Sequence, residues 1–439
     1  MNRVIMRGLL GAAAGIAMAS GAQAADMPVK AKAVEYVKIC TAYGAGFYYI
    51  PGTDVCLRVG GYLRADYYHN APGGFPDITS GNTRMEETHY FRGRGAVILD
   101  ARTNTAYGTL RSFMNIYASW DTAATGGGNT LGHDRSFIQF AGFTFGQATS
   151  FFDFYASSGP HANLANWGGQ GTGGSGWNVL AYTAQFGNGL SGTISMEDSR
   201  RKAVVVGAPL AVLATTPASV RAGQNVPAFT ANLRVDQSWG SAQIMAAWQE
   251  LRANDTVVAS DTNGYAFGGG FTWNNPSAPG SQFGIQAAWA KGALGYIQAG
   301  GAGTFIIPDG SSVASGYVAD GNVIAGSIER NSGWGVNAGY QHRFNPQWAW
   351  TIHGAFTSID FSSTAEALAG VSLDFDVWSL GTRLLWTPVA GLNMSLDILY
   401  HDFETQAPGT LLAGGAGIGT IPRGDYDVWA TMFRVQHDF

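Results

Sequence analysis

Through most of this chain apolar and polar side chains alternate one for one, and that period of two constrains the fold more tightly than any motif. Leu392, Met394, Leu396, Ile398 and Tyr400 form one face of a segment, with Asn393, Ser395, Asp397 and His401 on the other. Trp348, Trp350, Ile352, Gly354 and Phe356 interleave in the same way with Thr351, His353 and Thr357. So do Trp429, Phe433, Val435 and Phe439 with Arg434, Gln436 and Asp438. This is the period of an extended strand whose two faces meet different surroundings. Beyond the N-terminal region no run reaches about twenty apolar residues, so no spanning helix is predicted.

Sixteen such segments can be placed, near 57–69, 90–101, 107–120, 132–143, 147–155, 176–186, 190–199, 228–238, 241–252, 263–274, 281–291, 333–344, 348–360, 372–387, 391–403 and 424–439. The connections alternate as well. Thr103-Asn104-Thr105, Asn188-Gly189, Trp239-Gly240, Asn345-Pro346-Gln347 and Pro388-Val389-Ala390 are short and turn-like. The stretches 70–89, 121–131, 156–175, 200–227, 292–332, 361–371 and 404–423 are long and rich in small and polar residues. Charged residues make up only 13% of the chain, against about a quarter in an ordinary soluble domain. Together these features predict an all-β fold: a 16-stranded antiparallel transmembrane β-barrel with short periplasmic turns and long external loops. Closure follows from the solvent, because hydrocarbon leaves the edge of an open sheet unpaired. A large exported β-sandwich or β-solenoid would share the alternation but not the asymmetry of the loops.

The N-terminus carries Arg3 and Arg7, an apolar stretch from Leu9 to Ala19 and the small-x-small triplet Ala22-Gln23-Ala24. That order reads as a secretory signal peptide over 1–24. Residues 25–56 then form a periplasmic N-terminal segment, and 57–439 the barrel. The two cysteines, Cys40 and Cys56, are expected to pair in an exported chain, as a structural staple rather than a metal or redox site. A net charge of -5 gives no nucleic-acid footprint.

The block from Val34 to Cys40, continuing through Tyr43-Gly44-Ala45-Gly46-Phe47-Tyr48-Tyr49-Ile50-Pro51-Gly52-Thr53-Asp54 to Cys56 and Gly60-Gly61-Tyr62, resembles the porins of alphaproteobacteria, Brucella and rhizobia among them. Phe145-Gly146-Gln147-Ala148-Thr149-Ser150-Phe151-Phe152-Asp153-Phe154-Tyr155 is a second match. The resemblance covers essentially the whole mature chain. It implies a homotrimer in the outer membrane of a Gram-negative bacterium, embedded in lipid and lipopolysaccharide. It also implies a third external loop, 156–175, that folds inward and narrows the pore. Phe439, a terminal aromatic on a final amphipathic strand, resembles the signal read by the barrel-assembly machinery.

A passive diffusion channel for small hydrophilic solutes and ions calls for no catalytic residue, cofactor or metal. It calls for a charged neck. Alternation points Arg64, Arg92, Arg94 and Arg111 away from the lipid, where a charge near the midplane would cost about 2–4 kcal/mol. These four are expected on one stretch of lumen wall, facing the loop that follows Asp153. Between Asp153 and Gly176 the only carboxylate is Asp153, so the neck is expected to be basic and weakly anion-preferring despite the acidic chain. The alternative within transport is a substrate-selective channel, for sugars for example, built on an aromatic ladder that Trp167 or Trp177 would begin. Gly171-Thr172-Gly173-Gly174-Ser175-Gly176 fits a dinucleotide fingerprint by letter but has no following helix. No HExxH or GxSxG occurs, and His89, His161, His353 and His401 are scattered.

Overall fold

The structure, a computed structural model, describes residues 38–69, 89–122, 128–154, 176–198, 204–206, 220–297, 303–308, 313–370, 372–405 and 426–439. The expected leader 1–24 and the expected narrowing loop 156–175 lie outside the described residues.

Sixteen strands form the wall. They are β1 (Cys56–His69), β2 (His89–Thr105), β3 (Gly108–Asp121), β4 (Gly128–Phe140), β5 (Phe143–Ala148), β6 (Trp177–Gly187), β7 (Leu190–Glu197) and β8 (Ala228–Gln237). They continue as β9 (Gly240–Leu251), β10 (Thr262–Asn274), β11 (Gln282–Lys291), β12 (Ser332–Arg343), β13 (Trp348–Asp360), β14 (Phe375–Val389), β15 (Leu392–Thr405) and β16 (Tyr426–Asp438). Each pairs antiparallel with its chain neighbours, and β16 returns to β1 in register from Asp438 opposite Tyr62 to Thr431 opposite His69. Phe439 extends the seam: its N–H donates to the Gly61 carbonyl at 3.1 Å and its own carbonyl accepts from the Gly61 N–H at 3.0 Å. A Cβ at position 61 would stand 2.1 Å from the Ala96 carbonyl oxygen, so only glycine lets β2 approach there.

Alternation sorts the side chains as the solvent demands. Leu63, Ile194, Ile244 and Phe433 are exposed on the outside, while their neighbours Arg64, Thr193, Gln243 and Arg434 turn inward. Aromatic side chains collect toward the two ends of the outer wall. Trp348 stacks on Trp386 with ring centres 5.7 Å apart near the periplasmic turns, and Tyr400 packs on Trp378 and Trp429 near the external end. These are the two levels at which amphipathic rings meet lipid headgroups.

The turns explain where strand limits are legible. Asn188 (φ 49°) and Gly189 (φ 74°) both sit in the left-handed region, the requirement of a two-residue hairpin turn that Asn-Gly meets readily. The segments expected at 132–143 and 147–155 are instead β4 and β5, earlier in the chain and joined by Ala141-Gly142. Ala141 takes φ 50°, a conformation an alanine does not advertise. The wall therefore ends at Ala148, and Asp153 lies beyond it.

Outside the wall, Val204–Val206 runs parallel to Gly321–Ile324, which pairs in turn with Ser327–Arg330. The buried Val204, Val220, Leu251, Val323 and Ile328 hold this external sheet to the end of β9. Ser362 caps the short helix α1 (Ser363–Ala369), its side chain accepting from the Ala365 N–H.

At the periplasmic end Tyr48–Tyr49 pairs with the start of β1, and Cys40 is bridged to Cys56, the first residue of β1. Cys40, Cys56 and Phe47 are buried together. With a sequence separation of 16, the bridge stabilises the segment by about 3 kcal/mol in the chain-entropy account. Replacing both cysteines by serine is expected to speed proteolysis within residues 38–55 under non-denaturing conditions. The heat needed to unfold the barrel, read by gel mobility, should change little, because the backbone ladder closes without the bridge. A large fall in that temperature would mean that the segment carries the wall.

Candidate functional site: the inner wall of the barrel

Inward positions on six adjacent strands place opposite charges side by side. Arg434 on β16 grips Asp66 on β1 through two hydrogen bonds, Nε to Oδ1 at 2.6 Å and Nη2 to Oδ2 at 2.9 Å. The Tyr68 hydroxyl donates to the same carboxylate at 2.9 Å. Arg92 on β2 makes the equivalent fork to Asp121 on β3, with Nη2 to Oδ2 at 2.9 Å. Beyond Arg434, the register sets Asp397 of β15 opposite Arg383 of β14. Bidentate pairing fixes each guanidinium plane as well as its position.

Arg64 and Arg94 face each other across β1 and β2. Arg64 lies over the ring of Tyr62, 5.4 Å from its centre, with its Nε 3.4 Å from Asp66 Oδ2. Arg94 lies over Tyr117 at 4.2 Å and donates from Nε to Ser119 Oγ at 2.6 Å. Arg64, Arg92 and Arg94 thus occupy one patch of inner wall. Arg111 shares their inner face but not their level. The register puts it opposite Arg102, eight residues along β2 from Arg94, or roughly 26 Å toward the periplasmic end. There Arg58, Arg102 and Arg111 converge on the fully buried Asp100, at 3.8, 2.7 and 3.0 Å. Arg102 also covers the rings of Tyr43 and Phe47, so this lower cluster seats the disulfide-bridged segment.

Asp153 lies on a turn that leaves β5 and enters the barrel. Its N–H donates to the Ser150 carbonyl at 3.0 Å, and its own carbonyl accepts from Gln243 Nε2 on β9 at 3.4 Å. The Phe151 carbonyl accepts from Asn232 Nδ2 of β8 at 2.6 Å, and the Phe154 N–H donates to Gln286 Oε1 of β11 at 3.3 Å. Residues 150–154 therefore lie against the inner faces of β8 to β11, across the barrel from the arginine patch. Glu197, fully buried at the end of β7, anchors the turn. Its carboxylate accepts from Ser150 Oγ at 2.7 Å, the Phe151 N–H at 3.0 Å and Thr230 Oγ1 at 2.9 Å. Phe152 and Trp177 pack on Tyr296 with ring centres 4.8 and 5.4 Å away. Burial, reinforced by the nearby acidic side chain of Glu197, pushes the Tyr296 phenol well above its ordinary range.

Alternation alone places Arg434, Asp397 and Arg383 on the polar face of their strands. The partnership of Arg434 with Asp66 was not readable, because the two are 368 residues apart and meet only through closure. Glu197 carried no signal beyond being a carboxylate at a strand end.

The profile of a family described as the porin subfamily matches residues 26–429. Porin Omp2b of Brucella melitensis is 36% identical over 200 residues, a stretch that takes in 43% of this chain and 52% of the Brucella protein. The chain thus spans about half the length of the curated relatives it matches. The outer membrane channel DcaP of Acinetobacter baumannii superposes with a TM-score of 0.65 at 16% identity, over 89% of this chain and 99% of that one. OmpF of Salmonella typhi, in complex with daunomycin, gives a TM-score of 0.51 at 10% identity, over 88% and 98%. At such identities the two structures speak for the fold. A profile match from residue 26 to 429 and a closed wall of sixteen strands lead to one conclusion: the chain belongs to the porin subfamily and is a multi-pass β-barrel of the Gram-negative outer membrane.

Proposed function

We propose that the chain forms a passive diffusion channel for small hydrophilic solutes and ions. The observation that carries this reading is the inner wall itself, a closed sheet whose lumen face bears a row of charges from β14 round to β3. Such a row produces a field across a narrow neck with low-dielectric walls. Polar solutes align in that field, and apolar ones lose water contacts without compensation. The inward turn at 150–154 supports a neck completed by 156–175, opposite Arg64, Arg92 and Arg94, with Asp153 at its entrance. A substrate-selective channel for sugars would need an aromatic ladder in the lumen. Trp177 is instead packed into the internal cluster with Tyr296.

The working unit is proposed to be a homotrimer in outer-membrane lipid and lipopolysaccharide, exported by the leader 1–24. Phe439, paired to Gly61 with its ring exposed outward, is the side chain offered to the barrel-assembly machinery. No catalytic step is proposed.

Ion preference should follow the arginine patch and not the net charge of -5, since distant charges are screened within about 8 Å at physiological salt. A weak preference for anions is expected in planar-bilayer recordings under a salt gradient. Replacing Arg92 and Arg94 by Gln should move the reversal potential toward cations, less so as salt is raised. An unchanged potential at low salt would remove these side chains from the neck.

Glu197→Ala leaves three donors without their acceptor. The cost is about 2 kcal/mol locally, at the middle of the range for buried donors left unsatisfied, or roughly a thirty-fold rise in local opening. Increased open-channel current noise and faster external proteolysis near residues 150–154 are expected in folded protein. If both match the parent, Glu197 does not hold the inward turn.

A further inference from the structure

The upper patch holds four guanidinium groups and two carboxylates among the described residues: Arg64, Arg92, Arg94 and Arg434 against Asp66 and Asp121. Both carboxylates are already gripped bidentately, Asp66 by Arg434 and Asp121 by Arg92. Arg64 is left with a 3.4 Å approach to Asp66 Oδ2 and a buried Nε that has no hydrogen-bond acceptor among the described residues. Among the described residues Arg94 has a serine hydroxyl and no carboxylate. The two stand directly opposite each other on neighbouring strands, a placement at which like charges destabilise a sheet. Each lies over a tyrosine ring, 5.4 Å from the Tyr62 centre and 4.2 Å from the Tyr117 centre, a contact that restrains the pair from swinging apart.

We infer that Arg64 and Arg94 form a binding site for a doubly charged oxyanion, free phosphate or a phosphate monoester, which bridges the two guanidinium groups as it crosses the lumen. The charge count matches, with two positive charges unanswered by fork pairing and two negative charges supplied. The geometry matches as well, because a planar guanidinium presents paired N–H donors at the spacing of two oxygens on one phosphate. Contact with the Tyr62 and Tyr117 rings restrains both groups before the anion arrives, which lowers the ordering cost of binding. Arg92 and Arg434 are committed to Asp121 and Asp66 and supply field rather than ligands. This inference rests on the channel reading above and adds to it a saturable step for one class of solute.

The test is a titration of the reconstituted channel in planar bilayers, with chloride as the current carrier. Inorganic phosphate is added in one arm and glycerol phosphate in the other. Chloride current is expected to fall along a saturating curve in the phosphate arm. A matching curve with glycerol phosphate places recognition on the phosphate group, and block by inorganic phosphate alone confines the site to the free ion. Arg94→Gln, which breaks no ion pair among the described residues, should raise the half-blocking concentration at least about tenfold. Arg94→Lys should fall between, keeping the charge and losing the fork. A current that declines without saturation in the parent overturns the site, as does an Arg94→Gln channel blocked like the parent. Should that variant fail to assemble, the parent curve decides alone. A parent that carries no chloride current at all overturns the channel reading itself, so the two failures are distinct.

Discussion

The structure depends on one rule of hydrocarbon: no backbone N–H or carbonyl can be left without a partner there. Each strand meets the rule by pairing on both sides, which commits the sheet to closure. The bonds between Phe439 and Gly61, and the ladder from Tyr62 to His69, complete the circuit. Alternation of side chains then follows, since a wall one strand thick has lipid on one face and lumen on the other. The same rule explains why irregular backbone such as 150–154 lies inside the barrel, where polar side chains of β7 to β11 answer its N–H and carbonyl groups.

Within the wall, charge is organised by strand register. Two clusters form at two heights, each around an acidic side chain that is fully buried. Asp100 gathers arginines beneath the bridged N-terminal segment, and its work is structural. Asp66 gathers Arg434 and Arg64 on the wall opposite the inward turn. Opposite charges in adjacent positions keep most guanidinium planes fixed. Fixed charges lining a lumen act on a passing ion without first having to reorient.

Much of the architecture was legible in the sequence because a period of two survives every local irregularity. Strands β13 to β15, the faces of β1 to β3 and the alternation of short and long connections all follow from it. The turn between β4 and β5 was not legible, since Ala141 takes a left-handed conformation with no Asn or Asp to signal it. Orientation of Arg64, Arg92, Arg94 and Arg111 could be read from alternation, but height could not. Height depends on hairpin register, and that register separates Arg111 from Arg94. Arg434 was visible only as a polar position until closure supplied its partner.

The Asp66–Arg434 pair has a consequence for assembly as well as for conduction. The first and last strands must find one register out of several that the backbone alone would accept nearly equally, since any even slip preserves the lipid and lumen faces. A slip of two residues in one direction sets Arg434 against Arg64, cation to cation; in the other it sets Arg434 opposite Tyr68. Only the observed alignment brings the guanidinium fork onto the Asp66 carboxylate. The pair therefore acts as a key for the final joint, and a barrel closed out of step would lack both the joint's lock and the charge row that crosses it.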